Sequence, residues 1–319
     1  MFGEIISIEN LLEAWREFIR GKRHKIDVQE FQLHLMDYVF DLHFDLANRT
    51  YTHGGYQAFK INDPKPRDIH KASVRDRLLH HAIYRILYPF FDKKFIADSF
   101  SCRVGKGTHK ALDRFRSFAY QVSKNHTRTC GVLKCDIRKF FANIDHSILQ
   151  KTVMKYIADP QVLWLLDRVI DSFSSEGRSA SGGLTGLPLG NLTSQLLVNI
   201  YMNEFDQYAK HRLKAKHYIR YADDFMFLSH DRQWLESLIP QISDFLEHRL
   251  KLTLHPDKLF IKTIASGVDF LGWVHFPDHR ILRTATKRRI IKKISENSAA
   301  SYEGLLRHGN TFQFRQEIL

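Results

Sequence analysis

Two adjacent carboxylates, Asp223 and Asp224, stand in the segment RYADDFMFLSH, between runs of Tyr, Ile, Phe, Met and Leu. Like charges side by side cost free energy, and placing them between segments that should be buried costs more. A third carboxylate, Asp136, lies near the end of Val132–Ile137, which reads as a buried strand in GVLKCDIRKFF. A strand-end aspartate and a hairpin-tip aspartate can converge at the rim of one antiparallel sheet. Hard oxygen donors gathered in this way suit Mg²⁺, which prefers octahedral oxygen coordination and keeps waters and substrate phosphates as further ligands. Two such ions roughly 3.5–4 Å apart activate an attacking hydroxyl and stabilise the leaving oxygen of a phosphoryl transfer. For an isolated Asp-Asp pair, a polar turn would be the better account.

The elements that must position these groups belong to a chain of 319 residues, 44% apolar and 13% aromatic, with enough apolar content for a large core. Lys and Arg number 48 against 35 Asp and Glu, a formal charge of +13 that points first to nucleic acid and second to an anionic membrane. No apolar run approaches the ~20 residues that span a bilayer, which weakens the membrane alternative. The N-terminus reads as one amphipathic helix ending at Gly21, with Leu11, Leu12, Trp15, Phe18 and Ile19 at helical spacing, and not as a signal peptide. Cys102, Cys130 and Cys135 show neither metal-ligand spacing nor a disulfide framework, so a reducing cytosol is expected.

No repeat or Pro/Gly/Ser-rich linker divides the chain, and one continuous compact unit with subdomains is expected. The stretch VQEFQLHLMDYVFDLHFDLANRT reads as a single helical segment. A basic loop or hairpin carrying Lys60, Lys65, Arg67, Lys71, Arg75 and Arg77 leads into an apolar helix from about Arg77; taken alone, such a charge run is as readily a solvated face. A helix is expected from about Asp145, and another from about Leu192, capped by Asn191 or Thr193, after the Gly- and Ser-rich loop SGGLTGLPLG. Tyr218–Tyr221 and Phe225–Leu228 read as strands around a turn of Ala222, Asp223 and Asp224.

At these residues the sequence resembles the reverse transcriptases. Tyr-Ala-Asp-Asp at 221–224 looks like their catalytic box, and Asp136 with Phe141 like the motif supplying the other metal ligand and the residue beneath the incoming sugar. LPLGNLTSQ at 187–195 resembles the loop and helix under the templating pair, while KLTLHPDK at 251–258 and FLGW at 270–273 resemble two later palm motifs, the second being the primer grip. The ordered set, spanning roughly Lys65 to Trp273, is far more specific than YADD alone.

The resemblance implies an α+β right-hand polymerase with fingers at 1–130 interleaved with the palm, an antiparallel-sheet palm at 131–278 and a short, basic, helical thumb at 279–319. It implies a metal site at Asp136, Ile137, Asp223 and Asp224 for two Mg²⁺ ions, replaceable by Mn²⁺, with Asp136 and Asp223 as the main direct ligands. Lys258 would protonate the leaving pyrophosphate. Arg67, Lys71, Arg75 and Arg77 are candidates for gripping the triphosphate, since a guanidinium fork matches phosphate geometry. Phe141, Leu189, Gly190 and Tyr221 complete the nucleotide site, Phe141 excluding a 2′-hydroxyl and Phe140 serving as core. Ser194, Gln195, Phe270, Leu271, Gly272 and Trp273 would meet primer and template. Lys287 and Arg288 lie in a segment from His279 with nine basic and three acidic residues, suited to a duplex backbone, a solvated basic helix being the plainer alternative.

One departure narrows the resemblance. Many reverse transcriptases carry Gln-Gly in the fourth motif and end it Ser-Pro, whereas Leu189-Gly190 and Ser194-Gln195 stand here. That pattern looks like the reverse transcriptases of diversity-generating retroelements, which copy a template RNA into cDNA mutated at adenines. The implied partners are a dedicated structured template RNA, the RNA/DNA duplex, dNTPs and a small basic accessory protein, with no membrane, in the cytoplasm of a bacterium or phage-infected cell. Alternatives are an anti-phage defence enzyme, a group II intron enzyme, disfavoured by the missing Ser-Pro and by no extension after residue 319, or an idle RNA-binding scaffold.

Overall fold

The computed structural model describes residues 1–62, 66–175 and 183–318. Lys65, and Ser181 and Gly182 of the Gly- and Ser-rich loop, lie outside the described residues. Helices α1 (Phe2–Ile6), α2 (Ile8–Phe18), α3 (Ile26–Leu33) and α4 (Leu35–Ala47) precede strands β1 (Tyr56–Ile61) and β2 (Arg67–Ala72) and helix α5 (Val74–Asp92). Next come α6 (Thr108–Val122), β3 (Gly131–Asp136), α7 (His146–Met154), α8 (Pro160–Ile170) and α9 (Leu192–His211). The hairpin β4 (Tyr218–Tyr221) and β5 (Asp224–Ser229), then α10 (Arg232–Leu250) and β6 (Phe260–Thr263), lead to β7 (Val268–Phe270), β8 (Trp273–His275) and β9 (Arg280–Leu282). Helices α11 (Thr284–Lys293), α12 (Glu296–Leu306) and α13 (Phe312–Ile318) follow.

The chain forms two compact units interleaved in sequence. The first contains Met1–Ile96, Lys139–Asp206 and Glu247–Leu252; the second contains Ala97–Arg138, Gln207–Leu246 and Thr253–Leu319. These boundaries cut across 1–130, 131–278 and 279–319, and β9 belongs to a sheet with β7 and β8, so backbone pairing runs through residue 279.

In the first unit the single N-terminal helix expected from periodicity is two. Ser7 leaves the helical conformation at ψ 144° and its hydroxyl accepts from the Asn10 amide at 3.2 Å, capping α2. Buried Asn10 then donates to the carbonyls of Ile5 at 2.9 Å and Ala82 at 3.2 Å, tying α1 and α2 to α5. The stretch read as one helix after Val28 is also divided, because His34 (φ −119°, ψ 31°) breaks it between α3 and α4. β1 and β2 form an antiparallel hairpin, pairing Tyr56 with Ala72. The loop before it is held by Asp76 at the start of α5, which accepts from the Tyr51 hydroxyl at 2.7 Å and the Gly54 amide at 3.1 Å.

The second unit holds an antiparallel four-stranded sheet in the order β4-β5-β3-β6. β3 is internal to this sheet, which explains why Val132, Leu133 and Cys135 are all buried, with Lys134 the one charged residue among them. Val132, Ile219, Met226 and Leu228 join Phe115 and Phe118 of α6 and Phe270 and Trp273 in one core cluster. β7, β8 and β9 form a meander. Trp273 packs so closely on the turn after α12 that a Cβ on Gly309 would lie 2.1 Å from its ring, so only glycine fits there.

Candidate active site

β3 and β5 run antiparallel with Asp136 opposite Asp224, so these two residues share one face of the sheet at its end. Both aspartates of the pair were expected in the turn. Asp224 is instead the first residue of β5, opposite Tyr221, and only Ala222 and Asp223 form the two-residue turn. Ala222 takes a left-handed φ of 57°, the conformation a tight hairpin imposes on its first turn residue. Burial pushes the Asp224 carboxyl up to about 6; the Asp136 and Asp223 carboxylates push the same way, and Lys134 opposes them.

Two lysines neutralise this cluster. Lys258, expected to serve the leaving pyrophosphate, has its Nζ 2.7 Å from Asp136 Oδ1. Lys134, buried at 7% exposure on the same face of β3 as Asp136, was not foreseen. Its Nζ lies 3.2 Å from Asp224 Oδ2 and donates to the Asp269 carbonyl at 2.8 Å, linking the carboxylates to β7. Its position two residues before Asp136 on a strand was the available signal, because residues two apart share a face.

Arg220 is a second unforeseen residue, 1% exposed. Its guanidinium donates to the Ala222 carbonyl at 3.0 Å and to Ser99 Oγ at 3.1 Å, so it braces the turn that presents Asp223. Arg220→Met keeps much of the volume and removes these donors. We expect a loss of about 1–3 kcal/mol for each group left unpaired, read by chemical denaturation, and a fall in kcat with little change in KM. Unchanged stability and kcat would remove Arg220 from the positioning of the turn.

The FLGW segment is the β7–β8 turn. Phe270 pairs with Trp273, both buried, and Leu271 (φ 50°) and Gly272 (φ 87°) occupy the two turn positions. The Gly272 carbonyl accepts from the Arg283 amide at 3.0 Å, just before α11, which carries half-buried Lys287 and exposed Arg288. Tyr221 ends β4 with its hydroxyl 3.2 Å from Thr108 Oγ1. Ile137 is buried, so its backbone carbonyl is the donor it could offer a metal.

The remaining expected residues lie in the first unit. Leu189-Gly190 docks on β2: the Leu189 carbonyl accepts from the His70 amide at 3.0 Å, and Asn191 Nδ2 donates to the His70 carbonyl at 3.2 Å. Gly190 (φ 112°) approaches β2 so closely that a Cβ would lie 2.9 Å from Ile69. Thr193 is inside α9, not its cap; Ser194 is buried, and Gln195 lines a cavity of about 270 Å³ with Arg77, His80 and His81. Lys71 and Arg77 both pair with Asp27 at 2.6 Å, and Arg75 pairs with Asp45 at 2.5 Å. Arg67 is exposed at the start of β2, with no carboxylate partner among the described residues. Lys139 in the left-handed region starts the 3-10 turn Phe140–Asn143, which buries Phe140 and leaves Phe141 half-buried.

Among the described residues no three His, Cys, Asp or Glu side chains form a ready metal cluster. The donor set nevertheless fits Mg²⁺: the oxygens are hard, three carboxylates interact, and Asp224 Oδ1 is buried without a hydrogen-bond partner. Lys258 and Lys134 supply the neutralising charge in this arrangement.

Residues 60–275 match the family described as reverse transcriptase (RNA-dependent DNA polymerase). The chain is 26% identical over 278 residues to Protein YkfC of Escherichia coli (strain K12), covering 76% of this chain and 71% of that protein. It is 23% identical over 295 residues to the Group II intron-encoded protein LtrA of Lactococcus lactis subsp. cremoris, covering 72% of this chain and 47% of that protein, and so spans about half of LtrA. Among solved structures, apo telomerase from Candida tropicalis truncated from its C-terminal domain superposes with a TM-score of 0.54 at 13% identity, covering 73% of this chain and 55% of that one. At that identity the likeness speaks for the fold, a right-hand polymerase of mixed helix and antiparallel sheet. The ordered motifs, the paired Asp136 and Asp224 strands and the match over 60–275 agree: the chain belongs to the reverse transcriptase (RNA-dependent DNA polymerase) family.

Proposed function

We propose that the protein is an RNA-directed DNA polymerase that copies a dedicated template RNA into cDNA, with errors concentrated at template adenines, as part of a diversity-generating retroelement. The observation that carries the polymerase reading is the register that sets Asp136 opposite Asp224, with Asp223 in the adjoining turn. Asp136 and Asp223, with Asp224 and the Ile137 carbonyl, would hold two Mg²⁺ or Mn²⁺ ions, whose charge activates a primer 3′-hydroxyl and steadies the leaving oxygen. Lys258, already on Asp136, holds a proton for the departing pyrophosphate. Phe141 offers its ring to C2′ of the incoming sugar, and Leu189, Gly190 and Tyr221 line the nucleotide. Arg67 is the favoured contact to the triphosphate, because Lys71, Arg75 and Arg77 are spent on Asp27 and Asp45. Ser194, Gln195, the 270–273 turn and Lys287 with Arg288 of α11 meet template and primer through sequence-independent contacts.

In this reading 1–130 act as fingers, 131–278 as palm and 279–319 as thumb, working in a bacterial or phage-infected cytoplasm with a small basic accessory protein. Among the described residues no helix is long and apolar enough to cross a membrane. Primer extension on RNA with dNTPs and Mg²⁺ tests the polymerase and separates it from an idle scaffold. The likeness to the Group II intron-encoded protein LtrA supports a second reading, a bacterial enzyme of group II intron type, with the same carboxylate site.

Leu189 supports the mutagenic subtype. A Gln there can hydrogen-bond the nascent pair, whereas Leu gives apolar contact alone, and losing polar contacts that favour the correct geometry narrows discrimination. Copying a defined RNA and sequencing the cDNA should show adenine-biased errors that Leu189→Gln reduces. Uniformly low error in the wild type would reject the retroelement assignment. An unchanged bias in Leu189→Gln would keep the assignment and discard this residue as a cause.

A further inference from the structure

From Ile26 to Ala47 the chain carries five acidic residues, Asp27, Glu30, Asp37, Asp41 and Asp45, and no Lys or Arg, inside a protein of net charge +13. α4 lies in this segment and buries Val39, Leu42 and Leu46. Away from that face, Met36, Phe40 and Phe44 form a ridge at i, i+4 spacing and are 45%, 50% and 67% exposed. Asp37, Asp41 and Asp45, each one residue further on, form a parallel ridge beside it. Exposed Leu33, at the end of α3, adds to this apolar surface.

Single exposed apolar residues are ordinary, but a row of large ones on one helix marks an interaction surface. The acidic ridge selects what covers it. Asp45 is paired with Arg75, and Asp27 with Lys71 and Arg77. Glu30, Asp37 and Asp41 have no Lys or Arg partner among the described residues, and Asp37 has only His34 at 3.9 Å. RNA phosphates and anionic lipid headgroups are repelled by such a row, whereas Lys and Arg side chains are attracted.

We propose that the outer face of α4 docks a protein partner that presents an apolar strip flanked by Lys and Arg. Met36, Phe40 and Phe44 would anchor it, and Asp37 and Asp41 would set its orientation. The proposal goes beyond the accessory protein named above by giving a surface and a recognition chemistry, and the α4 face alone carries it.

The probe is a fluorescent amphipathic helical peptide of Leu, Ala and Lys, titrated into the full chain; a matched peptide with Glu in place of Lys and a hairpin RNA serve as controls. We expect the Lys peptide to bind with 1:1 stoichiometry, with affinity about tenfold or more lower for Asp37→Lys/Asp41→Lys and for Phe40→Ser/Phe44→Ser, and the Glu peptide not to bind. Thermal melts confirm that these surface variants stay folded. Equal affinity for wild type and both variants overturns the proposal. So does a wild-type dimer in sedimentation that Phe40→Ser/Phe44→Ser converts to monomer, since the face then belongs to a second copy, or hairpin RNA binding that weakens in the same serine variant. Primer extension run in parallel keeps the two readings apart: an inactive wild type that still binds the Lys peptide counts against the polymerase alone.

Discussion

Asp223→Asn is expected to lower DNA synthesis on an RNA template by about 10²–10³ or more, while binding of the same RNA stays close to wild type. Asn matches Asp in shape and suits a turn, so the β4–β5 hairpin should survive. The choice of Asp223 over its neighbours matters. Asp224→Asn strips Lys134 of its carboxylate inside the sheet, and breaking one side of a buried pair commonly costs about 3–5 kcal/mol, so lost activity there would be mixed with lost fold. Asp136→Asn likewise disturbs Lys258. RNA affinity rests on Lys and Arg at the surface, and removing one negative charge does not weaken it. Extension above a few per cent of wild type, measured with a folded variant, would falsify the assignment of Asp223 to the metal site.

Phe141→Ala is expected to admit ribonucleotides. Phe140 and Phe141 are adjacent in one 3-10 turn with their rings 5.6 Å apart and steeply inclined, and only Phe140 is fully buried. Removing the Phe141 ring therefore opens space with modest loss of packing, whereas Phe140→Ala creates a core cavity costing about 3–5 kcal/mol. Competition between rNTPs and dNTPs during extension gives the measurement. A discrimination ratio equal to wild type places the sugar gate on another residue.

Much of the site was legible because it is written in local pattern. Val132, Leu133 and Cys135 around the lone Lys134 announce a buried strand, and the two strands flanking Ala222 announce a hairpin. What failed was register and pairing. Asp224 was assigned to the turn because propensity favours Asp there, but a two-residue turn leaves Asp224 in the ladder opposite Asp136. The break at His34 was missed because the segments on both sides keep helical character and no Pro or Gly marks it. Lys134 carried one local signal, its place two residues before Asp136 on a strand, but its burial depends on the Asp269 carbonyl, and that of Arg220 on Ser99, both far away in sequence. The basic cluster around Lys71 looked free for triphosphate, and its neutralisation by Asp27 and Asp45 depends on helices whose placement no local pattern reveals.

The interleaving of the two units bears on how the chain is made. Neither unit is contiguous, and the first includes Glu247–Leu252. Tyr201, fully buried, donates its hydroxyl to the Leu250 carbonyl at 2.6 Å, so a nascent chain that has reached only residue 246 lacks the acceptor for that proton. The second unit waits longer still, because β3 needs β6 at Phe260–Thr263 to become an internal strand. Completion of the second sheet is therefore late: pairings of large sequence separation close slowly, and β3 leaves one apolar edge open until β6 is made. Ribosome-stalled chains that have emerged past Leu252 but not to Phe260 should be protease-resistant in the first unit and sensitive in the second, and a chaperone that shields strand edges should raise the yield of this protein.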